Sequence, residues 1–312
     1  MTVHPMGHDR RAACAGDAGF SMIELMVATA VLLVISGSMM VGIQKLTQMQ
    51  NGISNRAAMH GGVRGAIELL QQEIGQAGSV TLPASVTLTS SVPSAGTSTV
   101  TVSSVAGMFA GEQLVVDTGA NLETVTATTV NTASNSITAS FIRAHASGVP
   151  VNAAGGFASG IVPTTATNGS SGTVLKLYGD VNDDGNMVYI EYTCDTAAGL
   201  LYRNEMAFDA ASKPALTASD ILLTNVLPNP NGTPCFSYQQ KTVGTDTYVV
   251  DVAVTLTVQT QRKDPITNQY QTETAALLNI SPRNVFDVWE MASLGDTSRV
   301  QPMPATVQNL LP

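Results

Sequence analysis

From Phe20 to Ile43 the chain runs for 24 residues with a single charged side chain, Glu24. About 20 consecutive apolar residues suffice to cross a bilayer as a helix. This run therefore sets the first constraint on the fold. A carboxylate inside such a span costs about 2.5–3.5 kcal/mol on insertion scales and marks a functional position. A plain signal anchor needs no glutamate there. A cleaved secretory signal has an apolar core of about 7–15 residues, and this run is longer.

The helical pattern continues past the apolar run. Leu46, Met49, Ile53, Ala57, His60, Val63, Ile67, Leu70, Ile74 and Ala77 recur at steps of three and four residues, the signature of an amphipathic helix. A helix from Phe20 to Ala77 would be roughly 85 Å long at 1.5 Å per residue. Gly61, Gly62 and Gly65 weaken it locally and predict a bend or loosened turn, while Gly75, Gly78 and Pro83 are stop signals.

The remainder reads as β-rich. Charged residues make up only 12% of the chain, and the formal charge is −9. Phosphate contacts need clustered Lys and Arg. The acidic balance and the lack of a basic cluster argue against nucleic acid as a partner. Residues 79–99 are Ser/Thr/Val/Pro-rich and read as a linker or edge strands. Within residues 100–151, strands are predicted at 113–117, 123–130 and 136–141, with a turn at Thr118-Gly119-Ala120-Asn121. Residues 152–173 read as a flexible loop. Alternation at 174–178 and 187–192 predicts a hairpin closed by the polar loop 179–186, and further strands follow to residue 280. The tail 289–312 has no strong period, and Trp289 reads as a packing anchor.

Gly19-Phe20-Ser21-Met22-Ile23-Glu24-Leu25, followed at once by the apolar run, resembles the processing site of type IV pilins and pseudopilins. Residues 1–19 would be the leader, with Arg10 and Arg11 as its positive charges. The resemblance implies cleavage after Gly19 by a prepilin peptidase on the cytoplasmic side and methylation of the new amine on Phe20. It also implies that Glu24 faces the amine of Phe20 on a neighbouring subunit during assembly. An ion pair in an apolar medium is favourable only with both partners present, so Glu24 would act as a register device. The Asp-x-Asn-x-Asp-Gly loop, Leu201-Tyr202-Arg203, the long final hairpin and Arg283-Asn284 are similar to large minor pilins of the PilW type. Residues 100–151 depart from that family and resemble a small β module of bacterial surface and phage-related proteins.

The fold class expected is α+β. Residues 20–78 form the pilin helix, of which 20–43 lie in the membrane or filament core. Residues 174–288 form a β-rich head, and 100–151 an inserted β module. Cys14 leaves with the leader, so Cys194 and Cys235 remain. In an oxidising compartment they are expected to pair, the alternative being two buried thiols. Asp180, Asn182, Asp184, Gly185, Asn186 and Glu191 fit the spacing of a calcium loop. The competing reading is a polar hairpin. Of four histidines only His60 and His145 lie outside the leader, and no hydrolytic triad, HExxH, phosphate loop or CxxC is present, so no enzyme is expected.

The resemblance implies a minor pilin that is anchored in the inner membrane, in contact with lipid, before assembly and is later exposed on the pilus. Its partners would be other minor pilins, the major pilin, the inner-membrane assembly platform and prepilin peptidase. The alternatives are a tip pseudopilin of type II secretion, or a surface adhesin that binds a ligand through the inserted module.

Overall fold

A computed structural model describes residues 19–312. Residues 1–18, with Arg10, Arg11 and Cys14 of the expected leader, lie outside the described residues. The chain divides into two compact units, at residues 1–53 and 54–312.

Helix α1 (Met22–Gln76) is unbroken over 55 residues. In the first unit every residue from Gly19 to Asn51 is exposed. This helix is long and apolar enough to cross a bilayer. The second unit opens on the remainder of α1. Here Val63, Ala66, Leu70, Ile74 and Ala77 are buried, so the amphipathic stripe is covered only from Val63 onwards. Gly61, Gly62 and Gly65 do not interrupt the helix. Tertiary packing outweighs the ~1 kcal/mol propensity penalty of each glycine, and a Cβ on Gly62 would come within 3.3 Å of Leu223. The helix ends where Gly78 turns to φ +83°, and Asn284 Nδ2 donates to the Gln76 carbonyl at 3.0 Å. That bond satisfies one of the orphan carbonyls of the last turn.

Seven short strands follow: β1 (Val86–Thr87), β2 (Gly96–Thr101), β3 (Gln113–Val116), β4 (Glu123–Thr126), β5 (Thr129–Asn131), β6 (Ser136–Phe141) and β7 (Pro150–Ala153). They form two antiparallel sheets, β1-β7-β3-β4 and β2-β6-β5. Their inner faces share one apolar cluster running from Val86 through Leu114, Ile137 and Phe141 to Val151. Val86, Leu88 and Val92, from the stretch read as linker, are buried in it. The stretch lacks charge because it lines a core.

The head is built from β9 (Val174–Gly179), β10 (Val188–Asp195), β11 (Leu200–Ala207), β12 (Ile221–Thr224), β13 (Val226–Leu227), β14 (Phe236–Val243), β15 (Asp246–Gln259) and β16 (Thr272–Ile280), preceded by the short β8 (Gly156–Phe157). One sheet has the order β12-β11-β10-β9. In the other, β15 pairs with β13, β14 and β16. Helix α1 packs on both sheets through a single cluster that includes Leu70, Ile74, Leu177, Tyr192, Val252 and Val254.

Two segments are more ordered than their composition predicts. In residues 152–173, Phe157, Ile161 and Val162 are fully buried, and Val162 N–H donates to the Lys176 carbonyl at 2.9 Å. The tail carries α2 (Arg283–Ser293), β17 (Val300–Gln301) and α3 (Ala305–Leu310). Trp289 stacks at a tilt on Phe286, 5.2 Å between ring centres. β17 pairs in parallel with β8. Val307 and Leu310 close an apolar cluster with Phe109, Phe157 and Tyr178. β17 and α3, of two and six residues, are too short to show a period, which is why the end of the tail reads as featureless. Glycines permit close approach of the backbone: a Cβ on Gly160 would lie 2.2 Å from the Gly78 Cα, so no side chain fits there.

Candidate functional site

The start of α1 is set by its own first residues. Glu24 N–H donates to Ser21 Oγ at 3.2 Å, and Ser21 N–H donates to Glu24 Oε2 at 3.4 Å. This is a capping box, in which residues three apart satisfy each other's orphan backbone donors. The carboxylate also sits at the positive end of the helix dipole. Such a cap is worth about 1 kcal/mol in water. It also gives Glu24 a partner within its own chain, in a segment where Phe20 is 83% and Met22 85% exposed. Reading Glu24 as an isolated charge missed this role, although the Ser-x-x-Glu spacing carries the signal.

Residues 14–40 match the family described as Prokaryotic N-terminal methylation motif. This N-terminus is that of a type IV pilin-like prepilin. Comparison of the chain with curated proteins and with solved structures gives no match.

In the prepilin head, Cys194 and Cys235 form a disulfide with 6.5 Å between their Cα atoms. It joins β10 to the start of β14 and so ties the two head sheets together. Closing a loop of 41 residues stabilises the fold by about 4 kcal/mol in the chain-entropy account.

The candidate calcium loop closes the β9–β10 hairpin, and its residues are used differently from the calcium pattern. Asp180 is buried, and its two carboxylate oxygens accept the N–H groups of Asp184 and Gly185, each at 3.1 Å. Asp184 accepts from Asn182 Nδ2 at 2.9 Å and from Asn186 N–H at 2.8 Å. Asp183 and Gly185 take positive φ, as tight turns require. Glu191, which would have to close a calcium shell, is committed elsewhere. Its Oε2 accepts from Tyr189 Oη at 3.0 Å and Lys213 Nζ at 2.8 Å, with Lys176 Nζ at 3.6 Å. Among the described residues no group of three or more His, Cys, Asp or Glu side chains is placed to hold a metal. In this geometry the loop caps itself as a polar hairpin, with the side-chain oxygens of Asp180 and Asp184 engaged within the chain. The alternation of β10 puts Glu191 beside Lys176 of β9, its cross-strand partner, rather than over the loop. The melting temperature of the prepilin should be unchanged by a calcium chelator, and Asp184→Ala should cost about 1 kcal/mol equally with and without it. A chelator-sensitive melting temperature would contradict this geometry.

A second buried cluster joins the helix to the head. Glu73 of α1 is 4% exposed. Its carboxylate accepts from Arg203 Nε at 3.0 Å, from an Arg203 terminal nitrogen and from Tyr192 Oη. Arg203 also pairs with Glu205 at 2.6 Å. Burial pushes the Tyr192 phenol up, and the neighbouring Glu73 carboxylate pushes it further. The Leu-Tyr-Arg strand was legible in the sequence, but its partner on the helix was not.

Proposed function

We propose that the prepilin is a minor pilin of a type IV pilus, of the PilW type. It is cleaved after Gly19, methylated on Phe20 and built into a tip or initiation complex. The observation that carries this reading is the start of α1: a capped carboxylate at the head of a helix whose apolar surface is exposed on every side from Phe20 to Asn51. Such a helix requires lipid before assembly and neighbouring helices after it. In the filament the Glu24 carboxylate would meet the Phe20 amine of the next subunit, exchanging an intrachain partner for an intersubunit one. Other minor pilins, the major pilin and the inner-membrane platform are the partners this implies. The β module, with an apolar cluster of its own, is the part of the chain available for contact with a surface ligand.

Mass spectrometry of sheared filaments tests the reading. The chain should be found there beginning at Phe20 and carrying one added methyl group. Glu24→Ala should still be cleaved in membranes but should be depleted from filaments at least tenfold. A processed chain that stays in the membrane fraction, with loss of protein secretion when it is deleted, would replace this reading with a secretion pseudopilin.

A further inference from the structure

The β module encloses a cluster of ionisable side chains that the pilin reading does not use. His145 is 3% exposed. Its Nδ1 lies 3.0 Å from Asp117 Oδ2 and its Nε2 lies 2.5 Å from Glu123 Oε1. Both carboxylates are already committed as acceptors. Glu123 receives the N–H groups of Ile142 at 2.8 Å and Arg143 at 3.3 Å, and Asp117 receives that of Thr118 at 2.7 Å. A neutral imidazole has one N–H, and ionised carboxylates only accept. One of the two ring contacts would then set lone pair against lone pair around a ring that is itself closed to water.

We infer that His145 is held as a doubly protonated imidazolium between Asp117 and Glu123, and that this proton latches the segment 142–148 onto the module. The latch has identifiable parts. His145 exchanges two backbone hydrogen bonds with Val92, both at 2.9 Å, and Gly148 N–H donates to the Leu88 carbonyl at 2.7 Å. Ser147 Oγ donates to the Thr89 carbonyl at 3.0 Å. Glu123 thus links β4 to the segment, and the segment in turn covers residues 86–92.

The charged groups facing the ring are few. Asp117 follows β3 and Glu123 opens β4. The segment itself brings Arg143, whose guanidinium donates to the carbonyls of Ala120 and Leu122. Residues 86–92 and β6 carry no ionisable side chain, and the Phe141 ring stands edge-on at 5.8 Å. Burial alone pushes the imidazole down. The hydrogen bonds to Asp117 and Glu123 outweigh it and hold His145 above the ordinary histidine value. The His145 hydrogen bond in turn holds Asp117 below the ordinary carboxylate range. The signs follow from linkage. The contribution of His145 is complete below the pH at which a free histidine titrates and is lost as pH rises through its own raised value. The contribution of Asp117 is lost only as pH falls through its lowered value. The latch is therefore closed in mildly acidic and neutral solution and released by alkali.

Nitrogen NMR of the imidazoles in the full chain, held in detergent micelles, tests the proton directly. Free imidazole in the same buffer is the comparison. His145 should keep protons on both ring nitrogens at a pH where free imidazole has become neutral. Hydrogen exchange supplies the second reading. After correction for the intrinsic rate, opening at the Ile142, Arg143, His145 and Gly148 amides should rise about tenfold per pH unit between the free-histidine range and the raised value of His145, while β15 amides show no such rise. In His145→Gln the segment should be open at every pH, with that dependence gone. If this variant does not fold, the titration of the unaltered chain decides. A His145 with one ring proton while free imidazole is still charged, or an opening independent of pH, would overturn the inference.

Discussion

Glu73→Leu is expected to destabilise the head by about 3 kcal/mol, because it removes the acceptor of a buried hydroxyl and one of the two carboxylate partners of a half-buried guanidinium. The Tyr192 ring is fully buried, and its hydroxyl loses its acceptor. Arg203, with a side chain 22% exposed, keeps only Glu205. An unsatisfied buried donor costs about 1–3 kcal/mol, and the half-buried guanidinium adds to it. The double change Glu73→Leu with Arg203→Met should recover much of the loss, since replacing a whole buried pair by apolar groups is close to neutral. Urea denaturation of the full chain in micelles, reported by the tyrosines, gives both values. A single-variant loss below about 1 kcal/mol would mean that the pair is screened and that apolar packing alone holds the helix to the head.

Glu112→Gln is expected to act in the opposite direction, and increasingly as pH rises. Glu112 is fully buried in the turn before β3. Its Oε2 accepts the Phe109 N–H at 3.2 Å, while Oε1 has no hydrogen-bond partner among the described residues. Burial pushes the carboxyl from 4.5 up to about 8, the Phe109 hydrogen bond opposing it only in part. The sign follows from linkage. Below the unfolded value both states are protonated and nothing is lost. As pH rises the unfolded chain ionises first, so the fold loses stability until the folded carboxyl ionises near 8. At about pH 7 the deficit is on the order of 3 kcal/mol, at 1.36 kcal/mol for each unit between the two states. Glutamine removes the titration and can still accept from Phe109. The variant and its parent should therefore match at about pH 4 and separate by about 3 kcal/mol by about pH 7. A gap that does not change with pH would show that Glu112 reaches water.

The parts of this protein that were legible in the sequence are those whose physics is local. The helix start is one. Ser21 and Glu24 are three residues apart, the apolar run follows directly, and no distant residue is needed to form α1. The β9–β10 hairpin is another, because alternation over six to eight residues and a polar turn specify its register. The strand predicted over 123–130 was legible only in part. It is divided into β4 and β5, which belong to different sheets, and no periodicity records a change of sheet.

What failed to show was every interaction whose partners meet only after folding. Glu73 finds Tyr192 and Arg203 across 119 and 130 positions. Gln301, from the tail that reads as featureless, gives its amide to both backbone groups of Gln113, 188 positions away. Each is a single polar side chain among apolar neighbours, and a period identifies the face a residue occupies, not what stands opposite. Glu191 makes the same point in reverse: its spacing fits a calcium loop, but the strand carries it to Lys176 and Lys213. By itself the sequence determined that the chain begins as a prepilin, with a membrane-length helix carrying one carboxylate, since hydropathy acts within a few residues. Only the tertiary structure decided how the buried charges are neutralised, how the tail closes the head and where His145 finds its two carboxylates, because those depend on distances that exist only once the sheets have assembled.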